Sequence, residues 1–88
     1  MKDGKNCILV VDDDRQIREI VSLLLSSEGY AVLTAEDGIQ AARLAAGEID
    51  LYLLDVNMPG QSGILAASQI RKQFETPIVF LTAYSSES

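Results

Sequence analysis

The stretch Cys7-Ile8-Leu9-Val10-Val11-Asp12-Asp13-Asp14 decides the architecture of this chain. Five apolar residues in a row are too few for a helix and show no polar alternation. Such a run predicts a strand buried on both faces, the kind found in parallel sheets covered by helices. It stops on three consecutive acids. Downstream, Ile17, Ile20, Val21 and Leu24 recur at i, i+3, i+4 and i+7. That spacing predicts an amphipathic helix from Asp14 to about Ser27, with Leu23 and Leu25 widening its stripe. Asp14 is placed to cap the helix and Gly29 to end it.

The alternation then repeats along the chain. Tyr30-Ala31-Val32-Leu33-Thr34 reads as a second strand. Asp37 or Gly38 opens a second helix, with Ile39, Ala42, Leu44 and Ala45 toward a core and Gly47 closing it. Leu51-Tyr52-Leu53-Leu54 is a third apolar strand and ends on Asp55. Asn57-Met58-Pro59-Gly60 is a loop by its Pro and Gly. A third helix is expected from about Ser62 to Phe74, with Ile64, Leu65, Ala67, Ile70 and Phe74 on its apolar face. Pro77-Ile78-Val79-Phe80-Leu81 is a fourth strand and ends on Thr82. The order β-α-β-α-β-α-β predicts a parallel sheet with helices on both faces. Residues 1–88 form one domain in this reading, with 1–6 and 85–88 flexible.

Composition narrows the function classes. The chain has 88 residues, 13 Asp and Glu against 7 Lys and Arg, and a formal charge of −6. Such acidity argues against nucleic acid or an anionic membrane surface as the main partner. Histidine is absent, which removes the commonest general base and the commonest zinc ligand. A single cysteine, Cys7, cannot close an internal disulfide and reads as a small core residue. With no signal peptide in view, a cytoplasmic setting is expected. No apolar run approaches the ~20 residues that span a bilayer.

In open α/β sheets, ligands bind outside the carboxyl ends of the strands. Asp12 and Asp13 follow the first strand, Asp55 the third and Thr82 the fourth. If these strands are neighbours, three carboxylates and a hydroxyl converge. Clustered carboxylates repel, and either protonation or a hard cation relieves them. Oxygen-only ligands point to Mg²⁺. A carboxylate beside such an ion can act as a nucleophile toward phosphorus. Asp14 reads as a helix cap, and Tyr30, Tyr52 and Tyr84 as packing residues.

Three pieces carry a family resemblance: Ile8 through Asp14, Leu53-Leu54-Asp55-Val56-Asn57-Met58-Pro59-Gly60-Gln61-Ser62-Gly63, and Pro77 through Ala83. Together they resemble the receiver domain of two-component response regulators, over residues 7 to about 84. The middle piece is the most specific, with Met-Pro after the acid and a Gly four residues beyond the Pro. The resemblance implies a flavodoxin-like parallel sheet with helices on both faces, order 2-1-3-4, the fifth strand and last helices missing. It implies Asp55 as the phospho-acceptor, served by a histidine kinase or phosphotransfer protein. Asp12, Asp13, Asp55 and the backbone carbonyl of Asn57 would hold Mg²⁺, Asp13 being favoured as a direct ligand. Thr82 would hydrogen-bond the phosphoryl group and transmit the switch, and Ala83 would leave room for it.

The departure from the family is at the end of the chain. The lysine that follows the family's fifth strand has no counterpart here, so weak Mg²⁺ binding and slow phosphorylation are expected. The fourth strand becomes an edge, and self-association through strand 77–82 or the uncovered sheet face is expected. Two alternatives stand beside the receiver reading. Asp12-Asp13-Asp14 contains Asp-x-Asp after a buried strand, which resembles aspartyl-phosphate phosphatases of the haloacid-dehalogenase type, although Gln16 stands where that motif favours Thr or Val. The other is a receiver fragment acting only as an interaction module.

Overall fold

The structure, a computed structural model, describes residues 1–56 and 63–81. Asn57, Thr82, Ala83 and Tyr84, the 57–60 loop and the 85–88 tail therefore lie outside the described residues. The elements run β1 Cys7–Val11, α1 Arg15–Ser27, β2 Ala31–Ala35, α2 Gly38–Leu44, β3 Leu51–Asp55, α3 Gly63–Arg71 and β4 Ile78–Leu81. They form one four-stranded sheet in the order β2-β1-β3-β4, parallel throughout. The expected order 2-1-3-4 is the observed one.

Chain handedness distributes the helices. The step from β1 to β2 goes one way along the sheet, and the steps to β3 and β4 go the other. Right-handed crossovers then put α1 on one face and α2 and α3 on the opposite face. Cys7, Leu9, Val11, Tyr52 and Leu54 point to the α2–α3 face and join Ala35, Ala41, Ile49 and Ile70 in one buried cluster. β1 lies between β2 and β3, and all five of its residues are buried. This is why its sequence carries no polar alternation.

The helices differ from the sequence expectation in which residues they bury. On α1 no residue is fully buried. Ile20, Leu23 and Leu24 are 56%, 72% and 60% exposed, and only Arg18, Val21, Ser22 and Leu25 are half-buried. The covered face is the expected stripe moved by one position: of Ile17, Ile20, Val21 and Leu24, Val21 alone is half-buried, joined by Leu25. Ile39, Ile64 and Leu65, expected in the core, are also exposed. Ile70 is buried as expected, and the other residues that α2 and α3 bury are small or shifted by one position: Gly38 and Ala41, then Gly63 and Ala66. Small residues let these two helices lie close to the sheet and to each other.

Boundaries move by a few residues. α2 ends at Leu44 with Ala45 as its C-cap, instead of continuing to Gly47. Gly29 does end α1: its φ of 96° is open to glycine, and the amides of Glu28 and Gly29 donate to the carbonyls of Leu25 and Ser26. At the chain start, Lys2 and Lys5 exchange backbone hydrogen bonds across a turn at Asp3 and Gly4. The Met1 ammonium pairs with Asp50 at 3.1 Å and also donates to the Glu48 carbonyl. Among the described residues, no helix is long and apolar enough to cross a membrane.

Candidate metal centre at the carboxyl edge of the sheet

β1 and β3 are neighbours in register, with Val11 opposite Leu54. The acids that follow Val11 and Leu54 therefore emerge side by side. Carboxylate oxygens of Asp12, Asp13 and Asp55 all lie within 4.8 Å of one another. Asp12 is 3% and Asp55 1% exposed, whereas Asp13 is exposed. Sequence reasoning brought these three residues together, and the structure does so too. Burial separates the two acids that follow β1: Asp12 is the enclosed carboxylate and Asp13 the solvent-facing one.

The loop that carries Asp12 is held at several points. Its amide donates to the Ala35 carbonyl at 3.1 Å, tying the end of β1 to the end of β2. One side-chain oxygen accepts from the Asp14 amide at 2.9 Å. Its own carbonyl accepts from the Arg18 guanidinium at 2.8 Å. Sequence reasoning missed Arg18. The available signal was its position in the second turn of α1, six residues after Asp12, close enough to reach back over the loop. Asp14 is used as expected: its Oδ1 accepts from the amides of Gln16 and Ile17, capping α1. That use removes the second acid of the Asp-x-Asp pattern from the cluster.

Asp55 is fixed by the sheet on one side and by α3 on the other. It stands opposite Leu81 of β4, and the next amide, Val56, donates to the Leu81 carbonyl at 3.1 Å. On the other side, the Gly63 amide donates to the Val56 carbonyl at 3.0 Å. A methyl group built on Gly63 would lie 2.0 Å from the Asp55 carbonyl oxygen.

The donor set fits a hard divalent cation. Two oxygens bound to one octahedral Mg²⁺ at ~2.1 Å each lie ~3.0 Å apart when adjacent and ~4.2 Å apart when opposite, so the three carboxylates have to draw together from their 4.8 Å span to close on the ion. No thiolate or imidazole competes at this edge. Cys7 lies at the far end of β1, where burial pushes its thiol above the usual range. Asp50 is there too, held below the usual carboxylate range by the Cys7 amide, at 2.7 Å, and then by the Met1 ammonium. Burial likewise raises the Tyr52 phenol in the core. Asn57, Thr82 and Ala83 lie outside the described residues.

A parallel α/β sheet with an acidic, cation-compatible site at its carboxyl edge is the class that fold and site define. Comparison with known proteins agrees. The model of the response regulator receiver domain matches residues 8–88, and the chain belongs to that family. The transcriptional regulatory protein CpxR of Escherichia coli strain K12 is 46% identical over 82 residues, which is 93% of this chain and 35% of CpxR. The chain thus spans about a third of that relative's length. The response regulator TrrA of Thermotoga maritima, solved in complex with Mg²⁺-BeF, superimposes with a TM-score of 0.83 at 46% identity. The match covers 92% of this chain and 72% of TrrA. A second structure, of histidine kinase ThkA in complex with TrrA, gives a TM-score of 0.80 at 45% identity, covering 91% of this chain and 71% of the matched one.

Proposed function

We propose that this chain is a phosphoryl-accepting receiver that works as a signalling switch and not as a turnover enzyme. The observation that carries the reading is the Asp12–Asp13–Asp55 cluster at the carboxyl edge of a receiver fold. In the proposed step, an Asp55 carboxylate oxygen attacks the phosphorus of a phosphohistidine on a kinase or phosphotransfer protein. An O–P bond forms, the P–N bond breaks, and the departing imidazole nitrogen retains its electron pair and takes up a proton. Mg²⁺, held by Asp12, Asp13, Asp55 and the backbone carbonyl of Asn57, would neutralise charge on the transferred group. Asp12 and Asp13 bring the ligating charge, and the bonds from Ala35, Asp14 and Arg18 keep the Asp12 loop in place. Thr82 is assigned a hydrogen bond to the phosphoryl oxygen and Ala83 the role of leaving space for it.

The complex of TrrA with ThkA supports a histidine kinase as partner. The net charge of −6 supports the absence of nucleic-acid contact by this segment, and the lone buried Cys7 supports a cytoplasmic setting. A second copy is the further partner we propose: β4 pairs only with β3 among the described residues, and its Val79 and Phe80 are exposed. Sedimentation showing a stable monomer at high concentration would exclude that pairing. The phosphoryl reading is tested with acetyl phosphate and Mg²⁺ followed by intact mass. One phosphoryl adduct is expected, and it should vanish in Asp55→Asn. An adduct that persists in Asp55→Asn refutes the assignment, and turnover of a generic phosphate ester would favour the phosphatase alternative.

A further inference from the structure

We propose that Gly63 is a positioning residue for Asp55: it is glycine so that the start of α3 can press on the backbone of the phospho-acceptor. The inference rests on the receiver reading and goes beyond it to a residue with no chemistry of its own. A Cβ at this position would stand 2.0 Å from the Asp55 carbonyl oxygen, 2.8 Å from its carbonyl carbon and 3.2 Å from the Val56 Cα. These are backbone atoms, so no side-chain rotation relieves the contact. Among the described residues, the positive-φ glycines are Gly4 and Gly29. Gly63 is therefore required for space, not for a left-handed backbone.

Relief of the contact needs about 1 Å of separation, since Cβ atoms essentially never approach within 3.0 Å of another heavy atom. Which side yields is decided by what holds each one. α3 is anchored by Ala66 and Ile70, 0% and 2% exposed, in the core. β3 is paired on both sides, but Asp55 is its last residue and the end of its ladder. The displacement therefore falls on Asp55, whose carboxylate must stay within the cluster formed with Asp12 and Asp13. Misplacing a reacting group by 1 Å costs on the order of a hundredfold in rate.

The test compares the parent chain, Gly63→Ala and Ile49→Ala. Ile49 is buried just ahead of β3, at the end of the sheet away from the acids, and supplies a loss of stability without a push on Asp55. Acetyl phosphate labelling with Mg²⁺ is followed by intact mass well below the lowest unfolding midpoint, with amide NMR spectra confirming that each chain is folded. Gly63→Ala should be labelled roughly a hundredfold more slowly than the parent, and Ile49→Ala at the parent's rate. If Gly63→Ala folds only with an excluded osmolyte such as trimethylamine N-oxide, all three are compared in it. A folded Gly63→Ala labelled at the parent's rate overturns the inference and leaves the receiver reading intact. Equal slowing in Ile49→Ala overturns it as well, as does a Gly63→Ala chain that stays unfolded even in the osmolyte, because the glycine then serves folding and not placement. A parent that takes no phosphoryl group removes the receiver reading itself, and the inference with it.

Discussion

Replacing Asp12 by Asn should stabilise the metal-free chain and abolish its stabilisation by Mg²⁺. Asp12 and Asp55 are both buried, and their carboxylate oxygens lie within 4.8 Å. At an effective dielectric of ~20, two unit charges at that separation repel by about 3 kcal/mol. Spreading of charge over two oxygens, local relaxation and the positive Arg18 guanidinium on the Asp12 carbonyl reduce the net figure to about 1–2 kcal/mol. Asn keeps the shape of Asp, and its carbonyl oxygen can still accept from the Asp14 amide. Its amide can also donate to the neighbouring carboxylates, turning repulsion into hydrogen bonding. The midpoint of thermal unfolding in EDTA should therefore rise by roughly 5–15 °C, at ~4–8 °C per kcal/mol for a domain this small. For the parent, Mg²⁺ at tenfold its dissociation constant adds about 1.4 kcal/mol. Asp12→Asn should show little of that gain, because one of the two buried charges of the cluster is gone. Circular dichroism melts in EDTA and across a Mg²⁺ series measure both effects. A lower midpoint for Asp12→Asn in EDTA, or a Mg²⁺ response equal to the parent's, refutes the electrostatic account of the cluster.

Three further outcomes follow from groups away from the cluster. Tyr52 is fully buried and its hydroxyl makes no hydrogen bond of normal geometry, so Tyr52→Phe should leave urea stability unchanged or raise it by up to ~1 kcal/mol; a loss larger than that would reveal a partner for the hydroxyl. Asp50 has its carboxyl lowered by the Cys7 amide and the Met1 ammonium, so its contribution is fully present above the ordinary carboxylate range and is lost as pH falls through the lowered value. Urea midpoints of Asp50→Asn should thus fall less steeply on acidification than the parent's, and parallel pH profiles would show that the ion pair does nothing in solution. Cys7 is inaccessible and its thiol is raised by burial, so maleimide labelling at neutral pH should be at least ~100-fold slower in the folded chain than in urea. Fast labelling without denaturant would mean that the chain-start end of β1 opens readily.

What could be read from the sequence depended on how many chain-distant atoms each feature needs. The apolar run Cys7–Val11 is legible because a strand buried on both faces has no solvent side to encode, and its pairing with β2 and β3 confirms that reason. Asp12 and Asp55 are legible as a pair because each ends such a strand, and parallel register puts strand ends together. Their unequal burial relative to Asp13 is not legible. It is set by the Ala35 carbonyl and the Asp14 amide, which draw Asp12 inward while Asp13 faces solvent. The α1 stripe shows the same limit from the other side. A period of 3.6 says which residues share a face, but not which face meets the sheet: the covered set is Arg18, Val21, Ser22 and Leu25, one position on from Ile17, Ile20, Val21 and Leu24. Gly63 is the extreme case. The family motif marks that a glycine stands there but not why: its backbone needs no left-handed freedom, and the reason lies in the 2.0 Å between an imagined methyl and the carbonyl of Asp55. A glycine required by another residue's backbone is visible only once the strand and the helix that converge on it have been placed.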